Sequence, residues 1–195
     1  LLQGCFHSKR PMGDDINRKL MRDFRLYMLV GGMPQAVSTY LETNNLEKVD
    51  SAKRSIITLY EDDFNKIDQT GNASKIFHQI PAQLTSNANR YLTWSATDGT
   101  RNTILTEILS EIKESMVVNM AYHANDPSAG MALHQDPNKY KMFAGDTGLF
   151  VTLAFWDRKF TDNTIYNKLL SDKLSTDLGY VYENVVAQML KASGH

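Results

Sequence analysis

A single cysteine, Cys5, is all the chain contains. That excludes an internal disulfide and any multi-cysteine metal site, and a reducing, cytoplasmic setting is the expectation. Charge of one sign is not in excess either. Lys and Arg number 21 against 22 Asp and Glu, for a formal net charge of -1. The molecule as a whole therefore has no electrostatic pull toward nucleic acid or an anionic membrane, which leaves only local basic patches to supply one. No apolar run nears the roughly 20 residues that cross a bilayer, so no membrane partner is expected. The chain lacks a G-x-x-x-x-G-K-[ST] phosphate loop and a G-x-S-x-G nucleophile elbow. His7, His78, His123, His134 and His195 show no metal-ligand spacing and read as structural or surface residues. Leu1 opens no signal-peptide layout, and a helical pattern runs up to a few residues before His195. Both ends read as cut, so a fragment of a longer protein is expected.

What is present is enough for real cores: 195 residues, 42% apolar and 22% charged. The most pointed stretch is Tyr27-Met28-Leu29-Val30-Gly31-Gly32-Met33-Pro34. An apolar helix from about Asp15 to Val30, with Ile16, Leu20, Phe24 and Tyr27/Met28 on one face, meets a paired glycine that ends it cheaply. Pro34 then suits the first turn of a second helix, Pro34 to Thr43, with Val37, Tyr40 and Leu41 inward. Asp14 or Asp15 is the expected cap of the first helix. A third helix opens near Asn45 and carries Leu46, Val49, Ile56, Tyr60, Phe64 and Ile67 on one stripe; Gly71-Asn72 ends it.

The middle changes character. Ala73 to about Leu84 reads as a helix disturbed by Pro81, Arg90–Trp94 as a short strand, and Thr103–Ser115 as an amphipathic helix. Strands are expected at Met116–Tyr122 and Lys139–Phe143, around an irregular loop from Asn125 to Asn138. A short helix from Thr147 to about Phe155 follows, then a polar stretch from Asp157 to about Asn163. A last helix runs from Leu178 to Lys191, with Val181, Tyr182, Val185, Val186, Met189 and Leu190 inward. The fold class is mostly α with a small β component: a helical lid-like bundle followed by a winged-helix-like α+β domain. The expected divisions are 1–70 for the bundle, 71–156 for the winged-helix-like domain and 157–195 for the start of a further module.

Four segments in order carry a resemblance: Phe24–Val37 with its Gly-Gly-Met-Pro corner; Leu59–Lys66 followed by Ile80–Leu84; Lys141–Phe150 with Gly145-Asp146-Thr147-Gly148; and Tyr182-Glu183-Asn184-Val185-Val186-Ala187. The set resembles the C-terminal half of prokaryotic AAA-type P-loop ATPases, an uncharacterised domain that follows the ATPase core. The resemblance implies a helical lid, a winged-helix-like middle and a restriction-endonuclease-like end. It also implies ATP and Mg in the parent protein, bound by a core this chain does not contain, and no cofactor of its own here. The implied role is non-catalytic: coupling that core, its partner in cis, to DNA or to a protein. Gly31, Gly32, Pro34, Asp146, Gly148 and Asn184 are the implied hinge and structural motif, with Asp146 read as a helix cap.

Two alternatives from other classes stand beside it. In one, the intact protein is a metal-dependent PD-(D/E)xK-like nuclease in which Glu183 is a ligand, the remaining carboxylates lying beyond His195; a lone carboxylate cannot hold Mg²⁺. In the other, the chain is a helical protein-interaction scaffold. For nucleic-acid contact the candidates are Arg90, Arg101, Lys139 and Lys141. The expected recognition helix, however, carries Glu107, Glu111 and Glu114 against only Lys113, a face that phosphates repel. Glu61-Asp62-Asp63 reads as a solvated face, and Trp94 and Trp156 as packing residues rather than base-stacking ones.

Overall fold

The chain is mostly helical, with one two-stranded antiparallel sheet. The computed structural model describes residues 2–86, 90–93, 97, 102–126, 130–158, 163–171 and 179–194. In chain order the helices are α1 (Leu2–Ser8), α2 (Asp14–Val30), α3 (Pro34–Thr43), α4 (Leu46–Ile67), α5 (Asn72–His78), α6 (Ile80–Thr85) and α7 (Asn102–Glu114). The hairpin β1 (Val118–Ala124) and β2 (Gln135–Ala144) follows, then α8 (Thr147–Ala154), α9 (Asn163–Leu170) and α10 (Gly179–Ala192).

Local chemistry sets most of these boundaries. Gly31 ends α2 at φ 82°, a conformation that glycine alone adopts without strain, and Pro34 occupies the first turn of α3. Asn45 caps α4, its side chain accepting from Glu47 and Lys48 N–H at 2.9 and 3.3 Å. Asp68 closes the turn after α4, accepting from the N–H of Thr70 and Ala73 at 2.9 and 3.0 Å. Gly71 accordingly sits at the start of α5 rather than at the end of α4. The helix expected over 73–84 is two helices broken at Gln79, because Pro81 suits a first turn and not an interior. The cap expected from Asp14 or Asp15 is absent: both lie inside α2, and Gly13 precedes it.

In the hairpin, Val118 to Tyr122 pair in register with Ala144 to Tyr140. The register then slips, so that His123 meets Asp136 and Ala124 meets Gln135. Residues 137–139 bulge out, which is where a strand tolerates Pro137. β2 thus reaches back into the stretch expected as loop. Of the strand expected at 90–94, Tyr91 gives one backbone hydrogen bond, 2.6 Å to the Tyr140 carbonyl, and Trp94 lies outside the described residues.

At the centre lies α8, buried at every residue from Thr147 to Leu153 and packed against α2, α4 and α10. One apolar cluster runs from Met28 through Val49, Ile57, Phe77 and Ile112 to Phe150, Tyr166 and Val185. Some expected core positions are on the surface instead. Leu41 is 77% exposed while Ala36 fills the α3–α4 contact, and Val186, Met189 and Leu190 on α10 are more than half exposed. The crossing of α2 and α8 requires two glycines. A Cβ on Gly148 would lie 2.5 Å from the Val30 carbonyl oxygen and 2.7 Å from Gly31 Cα. Gly148→Ala is therefore expected to cost about 3 kcal/mol, or roughly 6–12 °C in Tm. Gly4→Ala, in open space on α1, should leave thermal denaturation unchanged or slightly raised.

Candidate functional site

The first and third sequence motifs meet in space. Asp146 precedes α8 with both carboxylate oxygens engaged. Oδ1 accepts from the N–H of Leu149 at 2.9 Å, capping the helix, and Oδ2 accepts from the N–H of Gly32 at 2.6 Å. One side chain thus caps α8 and clasps the α2–α3 corner. A Cβ on Gly31 would overlap the same carboxylate. The fourth motif closes the other side. Asn184 on α10 accepts from the Ala144 N–H at 2.9 Å and donates to the Ala144 carbonyl at 3.2 Å and to Thr147 Oγ1 at 3.1 Å. Gln188, one turn on, accepts from the N–H and hydroxyl of Thr147 at 3.0 and 2.7 Å. A cavity of about 260 Å³ opens at this junction, lined by Gly32, Met33, Tyr60, Met116, Asp146 and Gln188 among others.

Beneath the corner lies a buried polar network absent from the sequence reading. Lys53, fully buried on α4, donates to the Leu29 carbonyl at 2.8 Å, the Gly148 carbonyl at 3.0 Å and the Tyr166 hydroxyl at 3.1 Å. Tyr166 in turn donates to Asp50 Oδ1 at 2.6 Å, as does Thr152 at 2.8 Å. Arg54 Nε reaches Asp50 Oδ2 at 2.8 Å, and its guanidinium lies 5.1 Å from the centre of the Trp156 ring. Desolvation brings the Lys53 ammonium down to about 8, against the pull of Asp50 and Asp146, which raise it; Arg54 lowers it further. Burial alone would raise the Asp50 pKa, but hydrogen bonds from Tyr166 and Arg54, the charge of Lys53 and the bond from Thr152 reverse this and hold it below the ordinary carboxylate value. The signal was in the sequence: in the stripe Leu46, Val49, Ile56, Tyr60, the helical repeat passes through Lys53.

The other expected site residues are spread over the surface. Glu183 forms an ion pair with Lys141 at 3.0 Å, both partly exposed, and Lys139 lies 3.7 Å from Asp136. Arg90 is exposed beside a groove of about 610 Å³ walled by Tyr91, Tyr122 and Tyr140. Arg101 lies outside the described residues. Pro34 starts α3 beside the corner. Among the described residues no group of three or more His, Cys, Asp or Glu side chains is gathered to hold a metal ion. No helix of the described residues is long and apolar enough to cross a membrane. Glu61 of the acidic run takes His78 at 2.6 Å, and Asp63 takes Lys66 at 2.7 Å.

Neutralising Asp50 leaves the Arg54 and Lys53 charges that it balances without their counter-charge. Asp50→Asn is expected to cost about 3–5 kcal/mol in chemical denaturation, and Asp50→Leu with Lys53→Met together much less than the sum of the single changes. The pH dependence has a definite sign. Lys53 holds its proton to about 8 when folded and to 10.5 when unfolded, so its contribution makes stability rise with pH from about 8 upward. Tyr166 and Tyr91, whose pKa values burial raises, oppose this once pH passes 10. Asp50 contributes stability above its unfolded value of 3.8 that is lost as pH falls through its lower folded value. Denaturation midpoints measured between pH 7.5 and pH 9.5 should therefore rise less in Lys53→Met than in the natural chain.

Neither the curated proteins nor the solved structures hold a match to this chain. A family model described as a domain of unknown function (DUF8612) matches residues 21–159. Those residues run from α2 through the Gly31-Gly32 corner, Lys53 and Asp146 to the end of α8, and the chain belongs to the DUF8612 family.

Proposed function

We propose that the chain is a non-catalytic coupling module of a AAA-type ATPase, joining a nucleotide-hydrolysing core to a DNA- or protein-binding surface. ATP and Mg belong to that core in this reading, since the chain has no phosphate loop. The observation that carries the proposal is the clasp of Asp146 on Gly32. A corner between two helices that is bonded to the cap of a third, with Lys53 tying the carbonyls of Leu29 and Gly148 together, behaves as a fixed elbow. Such an elbow turns displacement of α2 into displacement of α8 and of α10, which α8 contacts, because close-packed elements move together rather than deforming. The resemblance of the four motif segments to the region behind an ATPase core supplies the context. Three of those segments meet at the elbow.

A specific observation weighs on the choice of partner. The face of α7 expected to read a nucleic acid exposes Glu107, Glu111 and Glu114. That favours a protein contact for this helix, whatever the rest of the surface binds.

Asp146→Asn separates the two roles of the carboxylate. Asparagine keeps the helix cap, but its amide cannot accept from both Leu149 and Gly32. In the protein that joins this chain to its ATPase core, the variant is expected to retain basal hydrolysis while losing about fivefold or more of the stimulation produced by the binding partner. Stimulation equal to that of the natural protein would refute the elbow.

A further inference from the structure

Helix α2 carries exposed charges of both signs in equal number: Asp14, Asp15 and Asp23 against Arg18, Lys19 and Arg22. Its remaining cation, Arg25, turns into the body beside Met28 and Leu169. The balance gives the helix no net pull on a nucleic acid, an anionic membrane or any other strongly charged ligand. What the helix does present is apolar. At about 100° per residue, Ile16, Leu20, Phe24 and Tyr27 fall within about 80° of one another on one face. Ile16, Leu20 and Tyr27 are exposed there, and Phe24 is half-buried against the Tyr182 ring at 6.2 Å. Lys19 and Asp23 run along one edge of this row.

The row continues at both ends. Helix α1 buries none of its residues, exposes Leu2 and Phe6 at 60% and 80%, and shares a surface hollow with Met12 and Asn17 at the start of α2. Seven residues are too few for a helix that stands alone in water, so the apolar side of α1 calls for cover. Beside the other end of α2, where the Tyr27 hydroxyl accepts from Gln188 at 3.3 Å, α10 exposes Val186, Met189 and Leu190. Together these side chains expose on the order of 700 Å², close to the ~800 Å² that each partner contributes to a standard interface. That is more than a monomer ordinarily leaves bare.

We propose that this face is the interface of a homodimer in which two copies of α2 pack antiparallel across a two-fold axis. One register serves both the charges and the apolar row. It sets Lys19 of one copy opposite Asp23 of the other, and the symmetry repeats the pair. In that register Leu20 of each copy falls between Leu20 and Phe24 of the other. Ile16 falls between Phe24 and Tyr27, and Phe24 between Leu20 and Ile16, so the two rows interlock. The same rotation carries α1 of one copy to the level of the Tyr27 end of the other, where α10 exposes Val186 and Met189. These matches select a second copy. A helix whose charges cancel offers an acidic or a basic partner no net attraction, whereas its own reversed copy meets Lys19 with Asp23 twice. The dimer stands independently of the coupling role, which Asp146→Asn tests.

The test is sedimentation equilibrium of the full chain over a wide range of concentration at low salt. A monomer–dimer equilibrium with a micromolar or tighter Kd is expected, as an interface of this size allows. Leu20→Asp, which buries two unpaired carboxylates, should weaken it by about tenfold or more. Leu41→Asp, on an exposed part of α3, should leave it unchanged. K19E and D23K each place like charges opposite and should each weaken the dimer about fivefold or more. K19E/D23K restores opposite charges and should return within about twofold of the natural chain. All of these side chains are exposed, so an unchanged far-ultraviolet circular dichroism spectrum establishes that each variant is folded. A monomer at every concentration overturns the dimer and leaves the patch to a different protein. Dimerisation that Leu20→Asp does not weaken overturns the surface. A double variant no tighter than K19E and D23K singly overturns the antiparallel register that selects a second copy.

Discussion

Two backbones touch where α2 ends and α8 begins, and the rest of the molecule is arranged around that contact. Gly148 fits beneath the Val30 carbonyl only because neither it nor Gly31 has a side chain pointing into the gap. So close an approach leaves carbonyl groups buried with no water to satisfy them, a cost of a few kcal/mol each if unmet. Lys53 answers that need with three N–H donors on one nitrogen, two of them spent on carbonyls from the two helices. Burying the ammonium then demands counter-charge, which Asp50 supplies by way of the Tyr166 hydroxyl and Asp146 supplies from nearby. Each element of the network is the remedy for a cost created by the one before it.

The same logic explains why the junction is stiff. Buried ion pairs contribute little net stability but are costly to break, so they penalise alternative arrangements more than they favour the native one. With α2, α4, α8 and α9 all bonded into one network, sliding any one of them strands a charge or a carbonyl. Asn184 and Gln188 extend this to α10 by bonding the backbone just before and at the start of α8. A mechanical role for the corner fits a part that is held from several sides.

Much of this could be read from the residues in order. The Gly-Gly-Met-Pro corner, the limits of α3 and the start of α4 at Asn45 follow from local chemistry that acts within a turn or two. So does the composition of the fold, mostly α with one small sheet. The misses have a common cause. Leu41, Val186, Met189 and Leu190 obey the helical repeat yet lie on the surface, because periodicity tells which residues share a face and not whether anything covers it. Helix α9 gives no such signal because its eight residues carry too little of the pattern, and its place is fixed by Tyr166 reaching across to α4.

By itself, then, the sequence determined most of the helices, the corner and the side chains able to cap or clasp. Those depend on neighbours a few residues apart and on dihedral freedom that each residue carries with it. The tertiary structure alone decided that Gly32 and Asp146, 114 positions apart, share a hydrogen bond, and that Glu183 spends its charge on Lys141. It also decided that Lys53, which reads as a polar intruder in an apolar stripe, is the residue around which the core closes. Charge and hydrogen-bonding capacity are properties of a residue, but their partners are set by which backbones can approach closely enough to bring them together.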